Sequence, residues 1–228
     1  MPDPADKVGA TAYAHSRKWD LAAALPLILF NGLAALGFAI TAIKAMGKPV
    51  DFAGGLQILS EAGSFVFFLM EAVIVCIRRL PLRKLAGLLP RASALAAAYA
   101  PFALLLLPHR ALPPPQAIVS VLLLLAGTFG GIFTLSYLGR SFSILPQARQ
   151  LVTNGPYRYV RHPLYLFGQL SLIGVGLQFA QPWGLMIALA GCLLQFPRMA
   201  YEERVLTESF PGYAAYRAKT AMLIPGLL

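Results

Sequence analysis

The sequence has few charged residues and very few acidic ones. Only 12% of its 228 residues are charged, against roughly a quarter in an ordinary soluble domain. Nine acidic residues stand against 19 Lys and Arg, and 58% of the chain is hydrophobic. This balance excludes a disordered chain and argues against a water-soluble domain, whereas the mean hydropathy of +0.67 indicates several membrane-spanning helices.

Cysteine and histidine are also scarce. Two cysteines, Cys76 and Cys192, are too few for a disulfide framework, and with the three histidines they show no metal-ligand spacing. We therefore expect no bound metal. The first twenty residues carry charges and prolines before an apolar stretch that is too long for a signal-peptide core, so the sequence predicts no cleaved leader.

Apolar runs of membrane-spanning length recur along the chain. A helix needs about 20 apolar residues to cross a hydrocarbon core of roughly 30 Å. The sequence predicts six such spans, at residues 21–45, 56–77, 92–107, 116–137, 164–180 and 183–200. The expected fold class is therefore an all-α polytopic integral membrane protein with about six transmembrane helices.

Basic residues concentrate in alternate connections between these runs. All Lys and Arg except Lys44, Lys48 and Arg110 fall in the N-terminal tail, the second and fourth connections and the C-terminal segment. Because such residues accumulate in short cytoplasmic loops, both termini are predicted to be cytoplasmic, in the inner membrane if the source is bacterial. The net charge of +10 then reflects orientation and attraction to anionic lipids, and no nucleic-acid partner is expected.

Proline and glycine mark the turns. Gly47-Lys48-Pro49 predicts one turn, and Gln181-Pro182 predicts a very short connection that makes the last two spans an antiparallel helical hairpin. The glycines Gly127, Gly130 and Gly131 follow no strand, so they favour close helix packing over a dinucleotide-binding loop.

Two glutamates, Glu61 and Glu71, interrupt the second predicted span. Each costs on the order of 2.5 to 3.5 kcal/mol near the middle of a bilayer, so each is a functional candidate. The alternative is that they pair with a hydroxyl or an Arg near an interface, and Glu71 lies close enough in sequence to reach Arg78 or Arg79.

Polar chemistry concentrates in the connection 138–165, whose sequence is LGRSFSILPQARQLVTNGPYRYVRHPLY. It carries four Arg, one His and three Tyr, more than a link between helices requires. Pro163 suits the first position of a helix, which leaves His162 at the positive N-terminal end, a ready anion site. An interfacial belt of Arg and Tyr is the plainer interpretation of this connection taken alone.

A second polar stretch follows the sixth predicted span, in RMAYEERVLTESFPGYAAYRAKTAMLIP. Arg198 and Glu202 are four residues apart, so they share one face of a helix. The predicted hairpin brings them against His162 and Tyr165, which would form one pocket with a cation, a carboxylate, an imidazole and phenols.

These motifs resemble the membrane-embedded isoprenylcysteine carboxyl methyltransferases and their bacterial relatives, which extend to phospholipid methyltransferases. The resemblance covers about residues 138–225 and depends on three segments in order. They are LVTNGPYRYVRHPLY, then RMAYEERVL, then FPGYAAYRAKTAMLIP.

The resemblance implies transfer of a methyl group from S-adenosylmethionine, at the cytoplasmic face, to a lipophilic acceptor from the bilayer. It makes Arg198 and Glu202 catalytic, with Arg198 holding the acceptor. The residues implied to contact the cofactor are Arg149, Gln150, Leu151, Val152, Tyr157, His162, Pro163, Leu164, Tyr165 and Glu202. Phe142 stands where the eukaryotic enzymes have a cofactor-contacting Gln.

The sequence thus divides into an N-terminal membrane region, 1–137, expected to hold the lipid, and a cofactor-binding and catalytic region, 138–228. The favoured acceptor is the carboxylate of a prenylated cysteine or a similar lipophilic acid. N-methylation of a phospholipid head group and S-methylation of a small thiol are the alternatives. A transporter or channel is the rival from another class, suggested by Glu61 and Glu71, although the sequence shows no repeated halves.

Overall fold

The computed structural model describes residues 4–47 and 52–226, with side chains described for 16–47, 52 and 54–226. Lys48 and Pro49 of the first predicted turn lie outside the described residues. The elements in chain order are α1 (Pro4–Met46), α2 (Phe52–Ile77), β1 (Arg83–Lys84), α3 (Leu88–Tyr99), α4 (Pro114–Leu138), β2 (Gln147–Ala148), α5 (Pro163–Leu177), α6 (Trp183–Ser209) and α7 (Tyr213–Lys219). The prediction of an all-α protein is confirmed, apart from the two-residue strands β1 and β2.

Five helical segments of the described chain are long and apolar enough to cross a membrane. They are Ser16–Met46, Gly54–Ile77, Leu88–Leu106, Pro114–Ser141 and Trp183–Ser209. The fifth predicted span forms the apolar helix α5, but its 15 residues rise only about 22 Å, less than the hydrocarbon core. The structure therefore bears out a polytopic helical protein with five candidate spans, and the sixth span and the orientation remain predictions.

The third and sixth predicted spans differ from the observed elements for local reasons. α3 ends at Tyr99 and continues as a 3-10 helix, Ala100–Leu106, with a proline in its first turn. α6 extends past the predicted end to Ser209, because i,i+4 ion pairs continue along its polar end. Arg204 Nε, for example, lies 3.1 Å from Glu208 Oε1.

Close approach of α4 and α5 confirms the packing role predicted for the glycines. A Cβ atom at Gly127 would lie 2.2 Å from the Ser171 hydroxyl oxygen, and one at Gly130 would lie 2.2 Å from the ring of Phe167. The predicted hairpin is also present, since a Cβ at Gly176 would lie 2.8 Å from Cβ of Ala188 on α6. Small residues thus set the distance between these helices.

Backbone hydrogen bonds join the connections at the two ends of the helical bundle. β1 pairs antiparallel with β2, with Arg83 opposite Ala148. The α3–α4 connection meets the hairpin turn, where Arg110 N donates to the Gln178 carbonyl at 2.9 Å.

Cys76 and Cys192 are free thiols, in keeping with the prediction that they form no disulfide framework.

Candidate active site

A cavity of about 1000 Å³ runs between α1, α2, α4, α5 and α6. One end of the cavity, here called the basic end, is lined by Arg149, Arg161 and Tyr216 from the connections and α7. The other part, here called the inner chamber, is lined by α1 and α2 residues such as Asn31 and Glu71 together with apolar and aromatic side chains. One space therefore joins a polar end to a more apolar interior.

The start of α5 forms one wall of the basic end. His162 is the N-cap of α5, with φ −125° and ψ 54°, and Pro163 is the first helical residue, as predicted. The C-terminal segment fixes this turn, because the backbone N–H of Arg161 donates to the Ala221 carbonyl at 2.8 Å. The backbone N–H of His162 donates to the Met222 carbonyl at 3.1 Å, so the segment after α7 holds the motif in place.

Glu202, Tyr165 and Arg198 meet inside the cavity, as the hairpin argument predicted. The Tyr165 hydroxyl donates a hydrogen bond to Glu202 Oε1, and Arg198 Nε lies 3.6 Å from the same oxygen. The Arg198 guanidinium stacks 4.9 Å from the centre of the Tyr165 ring and donates to the Ile144 carbonyl at 3.0 Å. The site thus places a carboxylate, a cation and a phenol in contact, with Arg198 only 8% exposed.

The neighbouring Glu203 faces a different set of partners. Its carboxylate lies 2.6 Å from Arg161 Nε, 3.3 Å from His162 Nε2 and 3.3 Å from Arg217 Nε. Glu203 is 6% exposed, so this cluster is largely removed from water. It engages one ring nitrogen of His162 and links α5, α6 and α7 at the basic end.

A second buried ion cluster connects α1 to the polar connections. Asp20 lies 3.0 Å from Arg78 Nε and 3.1 Å from Arg149 Nη2. Arg149 also donates to Gln147 at 2.8 Å and to the Arg79 carbonyl. Burial and the neighbouring Arg78 lower the pKa of Arg149, and Asp20 opposes that shift. The Arg149 side chain therefore holds the connection against the bundle while it lines the cavity.

Two tyrosines at the basic end remain neutral phenols. Burial raises the pKa of Tyr157 far above its usual value, and the nearby Glu202 carboxylate adds to the shift. Burial raises the pKa of Tyr216 to about 12. The Tyr216 hydroxyl donates to the Tyr157 carbonyl at 2.6 Å. These residues offer hydrogen bonds and ring faces rather than charge.

The structure brings nearly all of the predicted site residues to this one cavity. Those that line it are Arg149, Gln150, Leu151, Val152, Tyr157, His162, Leu164, Tyr165, Arg198 and Glu202. Pro163 is buried in the first turn of α5 and does not line the cavity. Phe142, which stands in place of a glutamine, is 4% exposed and contributes an apolar part of the wall.

The two glutamates of α2 also face the cavity. Glu71 lies beside Asn31 and Arg198, whereas Arg78, its alternative partner from the sequence, pairs with Asp20. Glu61 Oε2 accepts a hydrogen bond from Thr41 Oγ1 at 3.0 Å. Glu61 therefore has the hydroxyl partner of the alternative interpretation, and Glu71 lies in the cavity beside Arg198 instead of against Arg78 or Arg79.

Comparison with known proteins relates the segment that carries this site to a known family. Residues 115–212 match the family model of phospholipid methyltransferases. The chain is related to the membrane methyltransferases. The match begins within α4, earlier than the motifs alone indicated, and it includes His162, Arg198 and Glu202.

Two curated relatives match over 114 residues each. The cobalt-zinc-cadmium resistance protein CzcN of Cupriavidus metallidurans is 34% identical, over 48% of this chain and 52% of its own length. The nickel-cobalt-cadmium resistance protein NccN of Alcaligenes xylosoxydans xylosoxydans is 30% identical, over 48% of this chain and 53% of its own length. The match thus spans about half the length of these relatives. Within the described part of the chain, no group of three or more His, Cys, Asp or Glu is placed to hold a metal ion.

Sequence reasoning missed four residues that shape the cavity. Glu203 and Asp20 hold the two buried ion clusters, and Asn31 and Gln169 present side-chain amides to the cavity. Glu203 was visible as the second residue of the EE pair. Asp20, Asn31 and Gln169 gave no comparable signal, because single polar residues beside or within an apolar run have no spacing to interpret.

Proposed function

We propose that the protein is an S-adenosylmethionine-dependent membrane methyltransferase that esterifies the carboxylate of a prenylated cysteine or a similar lipophilic acid. The observation that carries this proposal is the contact of Glu202, Tyr165 and Arg198 in a cavity whose surrounding segment is related to methyltransferases. The same cavity continues between apolar helices, as a lipid acceptor requires.

The side chains at the basic end fit the chemical groups of the cofactor. Glu202 would hold its positive groups, and the helix N-terminus at His162 would hold its carboxylate. Leu151, Val152 and Leu164 offer apolar surface to the adenine ring. The buried Nε of Arg198 and hydroxyl of Tyr213 have no hydrogen-bond partner in the described chain, which leaves polar atoms available to a ligand.

For the proposed reaction, the protein needs only to align the acceptor oxygen with the methyl group and to exclude water from the site. The bound cofactor supplies an electrophilic methyl group on a sulfonium. A carboxylate acceptor is already ionised at neutral pH, so no general base is required. Arg198 would hold the acceptor oxygen in line, and the apolar walls would exclude water from a step that removes charge.

A phospholipid amine is the second candidate acceptor, because Glu71 places another carboxyl beside Arg198. An amine must lose a proton on methylation, and Glu71 or Glu202 would accept it. The family match to phospholipid methyltransferases supports the same candidate.

Calorimetry with S-adenosylmethionine in detergent tests the cofactor assignment. The unmodified chain is expected to bind, and Glu202→Ala and His162→Ala are expected to weaken binding at least tenfold. Glu208→Ala, at the exposed end of α6, is the control and is expected to bind normally. Absence of binding by the unmodified chain, or undiminished binding by both site variants, would overturn the proposal and favour a transporter or channel.

A screen with methyl-labelled cofactor tests the acceptor. Its arms are a prenylcysteine analogue, phosphatidylethanolamine and a small thiol. Label in the methyl ester of the prenylcysteine analogue supports the favoured acceptor, and label in the lipid amine supports the second candidate. Arg198→Ala is expected to reduce acceptor turnover more than cofactor affinity; equal losses would contradict its assigned role.

A further inference from the structure

Three buried hydrogen-bond donors from three different helices line the cavity and make no hydrogen bond of normal geometry. They are Nδ2 of Asn31 on α1, Nε2 of Gln169 on α5 and Nε of Arg198 on α6. Asn31 is only 1% exposed. None of these atoms makes a hydrogen bond of normal geometry to a described residue. Asn31 lies beside the Glu71 carboxyl, and Arg198 Nε lies 3.6 Å from Glu202 Oε1.

Such donors are costly unless something accepts their hydrogen bonds. A buried donor without an acceptor costs about 1 to 3 kcal/mol, so folded proteins keep few of them. Two further examples, Nε of Arg149 and the hydroxyl of Tyr213, also line this cavity, at its basic end. The clustering on cavity walls indicates that a ligand supplies the missing acceptor atoms.

Helix geometry places the amide donors deeper than the proposed reaction site. Gln169 follows Tyr165 by one helical turn on α5, about 6 Å farther from the basic end. Asn31 follows Asp20 by eleven residues on α1, which corresponds to about 16 Å. The donors therefore lie beyond Glu202, on the side from which an acceptor in the membrane would approach.

Aromatic side chains form the wall next to these donors. The ring of Phe30, adjacent to Asn31 in the chain, packs edge to face against Phe102 at 5.1 Å and against Phe68 at 6.3 Å. All three phenylalanines line the cavity. An apolar chain would pack against this wall, while its polar end would reach Asn31, Gln169 and Arg198.

We infer that Asn31 and Gln169, together with Arg198, form the head-group subsite of the methyl acceptor and donate hydrogen bonds to its oxygen atoms. This inference rests on the proposed function. The shared chemistry is a lipid whose head group carries accepting oxygens, as a carboxylate or a phosphodiester does. Glu71 lies beside two of these donors, which disfavours a head group with more than one negative charge.

Leucine variants test the subsite in the full chain in detergent. Asn31→Leu and Gln169→Leu are each expected to weaken binding of the favoured lipid about tenfold, with S-adenosylmethionine affinity unchanged. Because leucine removes an unpaired buried donor, Tm without lipid is expected to stay the same or rise. The probes are N-acetyl-S-farnesylcysteine, its methyl ester and dioleoylphosphatidylethanolamine, whose separate affinities distinguish carboxylate from phosphodiester.

Gln178→Leu is the matched control. Gln178 also lines the cavity, but its amide already donates to Ser120 at 3.0 Å. Its replacement is expected to lower Tm and leave lipid affinity unchanged. If the Asn31 variant fails to fold, Gln169→Leu carries the same test.

The outcomes separate the subsite from the proposed function. A lower Tm with unchanged lipid affinity in both leucine variants would show that the amides bind only water, and would overturn the subsite. Unchanged acceptor KM in a chain that methylates would overturn the subsite and leave the function standing. Amide-dependent lipid binding by a chain that does not bind the cofactor would support the subsite and overturn the function.

Discussion

Buried polar groups have different partners at the basic end of the cavity and in its inner chamber. At the basic end, Asp20 pairs with the buried Arg78 and Arg149, and Glu203 pairs with Arg161 and contacts the His162 ring. In the inner chamber, the amide nitrogens of Asn31 and Gln169 make no hydrogen bond of normal geometry to a described residue, and Asn31 lies beside the Glu71 carboxyl. Both regions are largely dry, so the difference is not one of exposure to water.

The paired groups at the basic end stabilise the fold, whereas the unpaired donors of the inner chamber are available to bind a ligand. Paired charges hold α1, α5, α6 and the C-terminal segment at fixed distances, which keeps the reacting groups in position. Unpaired donors add nothing to the stability of the empty protein, and their free energy becomes favourable only when a ligand accepts their hydrogen bonds. The two regions should therefore respond differently to substitution.

The largest expected effect is that of Glu203→Ala. The variant leaves Arg161 and His162 without their shared carboxylate in a buried position, and we expect it to lower the free energy of unfolding by about 3 kcal/mol. Arg161 still donates to the carbonyl oxygens of Arg217 and Thr220, which limits the loss. A denaturant titration in detergent micelles measures the change.

Glu208→Ala is the matched control for this prediction. It lies on the same helix and pairs with Arg204 and Arg83, both well exposed. Because exposed ion pairs contribute little, we expect a loss below about 1 kcal/mol. Equal losses in the two variants would contradict a structural role specific to the buried cluster.

Asp20→Asn is expected to have the next largest effect. The amide accepts weaker hydrogen bonds than the carboxylate, and the Arg78 cation loses its counter-charge, so the free energy of unfolding should fall by about 2 kcal/mol. Arg149 retains its bonds to Gln147 and to the Arg79 carbonyl. Adding Arg78→Met should recover part of the loss, because an apolar side chain removes the unpaired charge; a further loss would argue against this account.

The sequence predicted the basic end better than the inner chamber, for a physical reason. Pro163 fixes a helix start, and Arg198 and Glu202 share a helix face by spacing, so the contact with Tyr165 followed from the short hairpin. The cavity position of Asn31 depends on how α1 packs and rotates against α2. No local pattern encodes that rotation, since the lipid-facing and cavity-facing surfaces are both apolar.

The fold shows the same limit. Apolar runs located the helices, but the extent of α6 to Ser209 depended on i,i+4 pairs beyond the membrane-like stretch. The pairing of β1 with β2 joins residues more than 60 positions apart, and two-residue strands leave no periodic pattern. The number of membrane-spanning helices depends on α5. An apolar run predicts that helix, but its 15 residues are shorter than a bilayer core, and the run does not encode that length.

A smaller effect is expected for Glu61→Gln, which tests whether charge in the inner chamber is structural. Thr41 donates to Glu61 at 3.0 Å from an exposed position, and a glutamine oxygen can accept the same bond. We expect the free energy of unfolding to change by less than about 0.5 kcal/mol. A loss as large as that of Asp20→Asn would show that the chamber also contains a stabilising charge, against the contrast between the two regions.

The smallest effect concerns alkaline pH at the basic end. The pKa of Tyr216 is raised to about 12 by burial, so the folded protein keeps this proton more tightly than the unfolded chain. Its contribution to stability is complete below pH 10 and is lost as the pH rises from about 10 to 12. Tyr216→Phe removes this contribution, so the unfolding free energy of the variant should fall less steeply over that range than that of the unmodified protein.

Tyr159→Phe, at a position 68% exposed, is the control and should follow the unmodified profile. Parallel profiles for all three proteins would show that the Tyr216 hydroxyl on α7 is not shielded from water, and would contradict the description of the basic end as a buried, paired region.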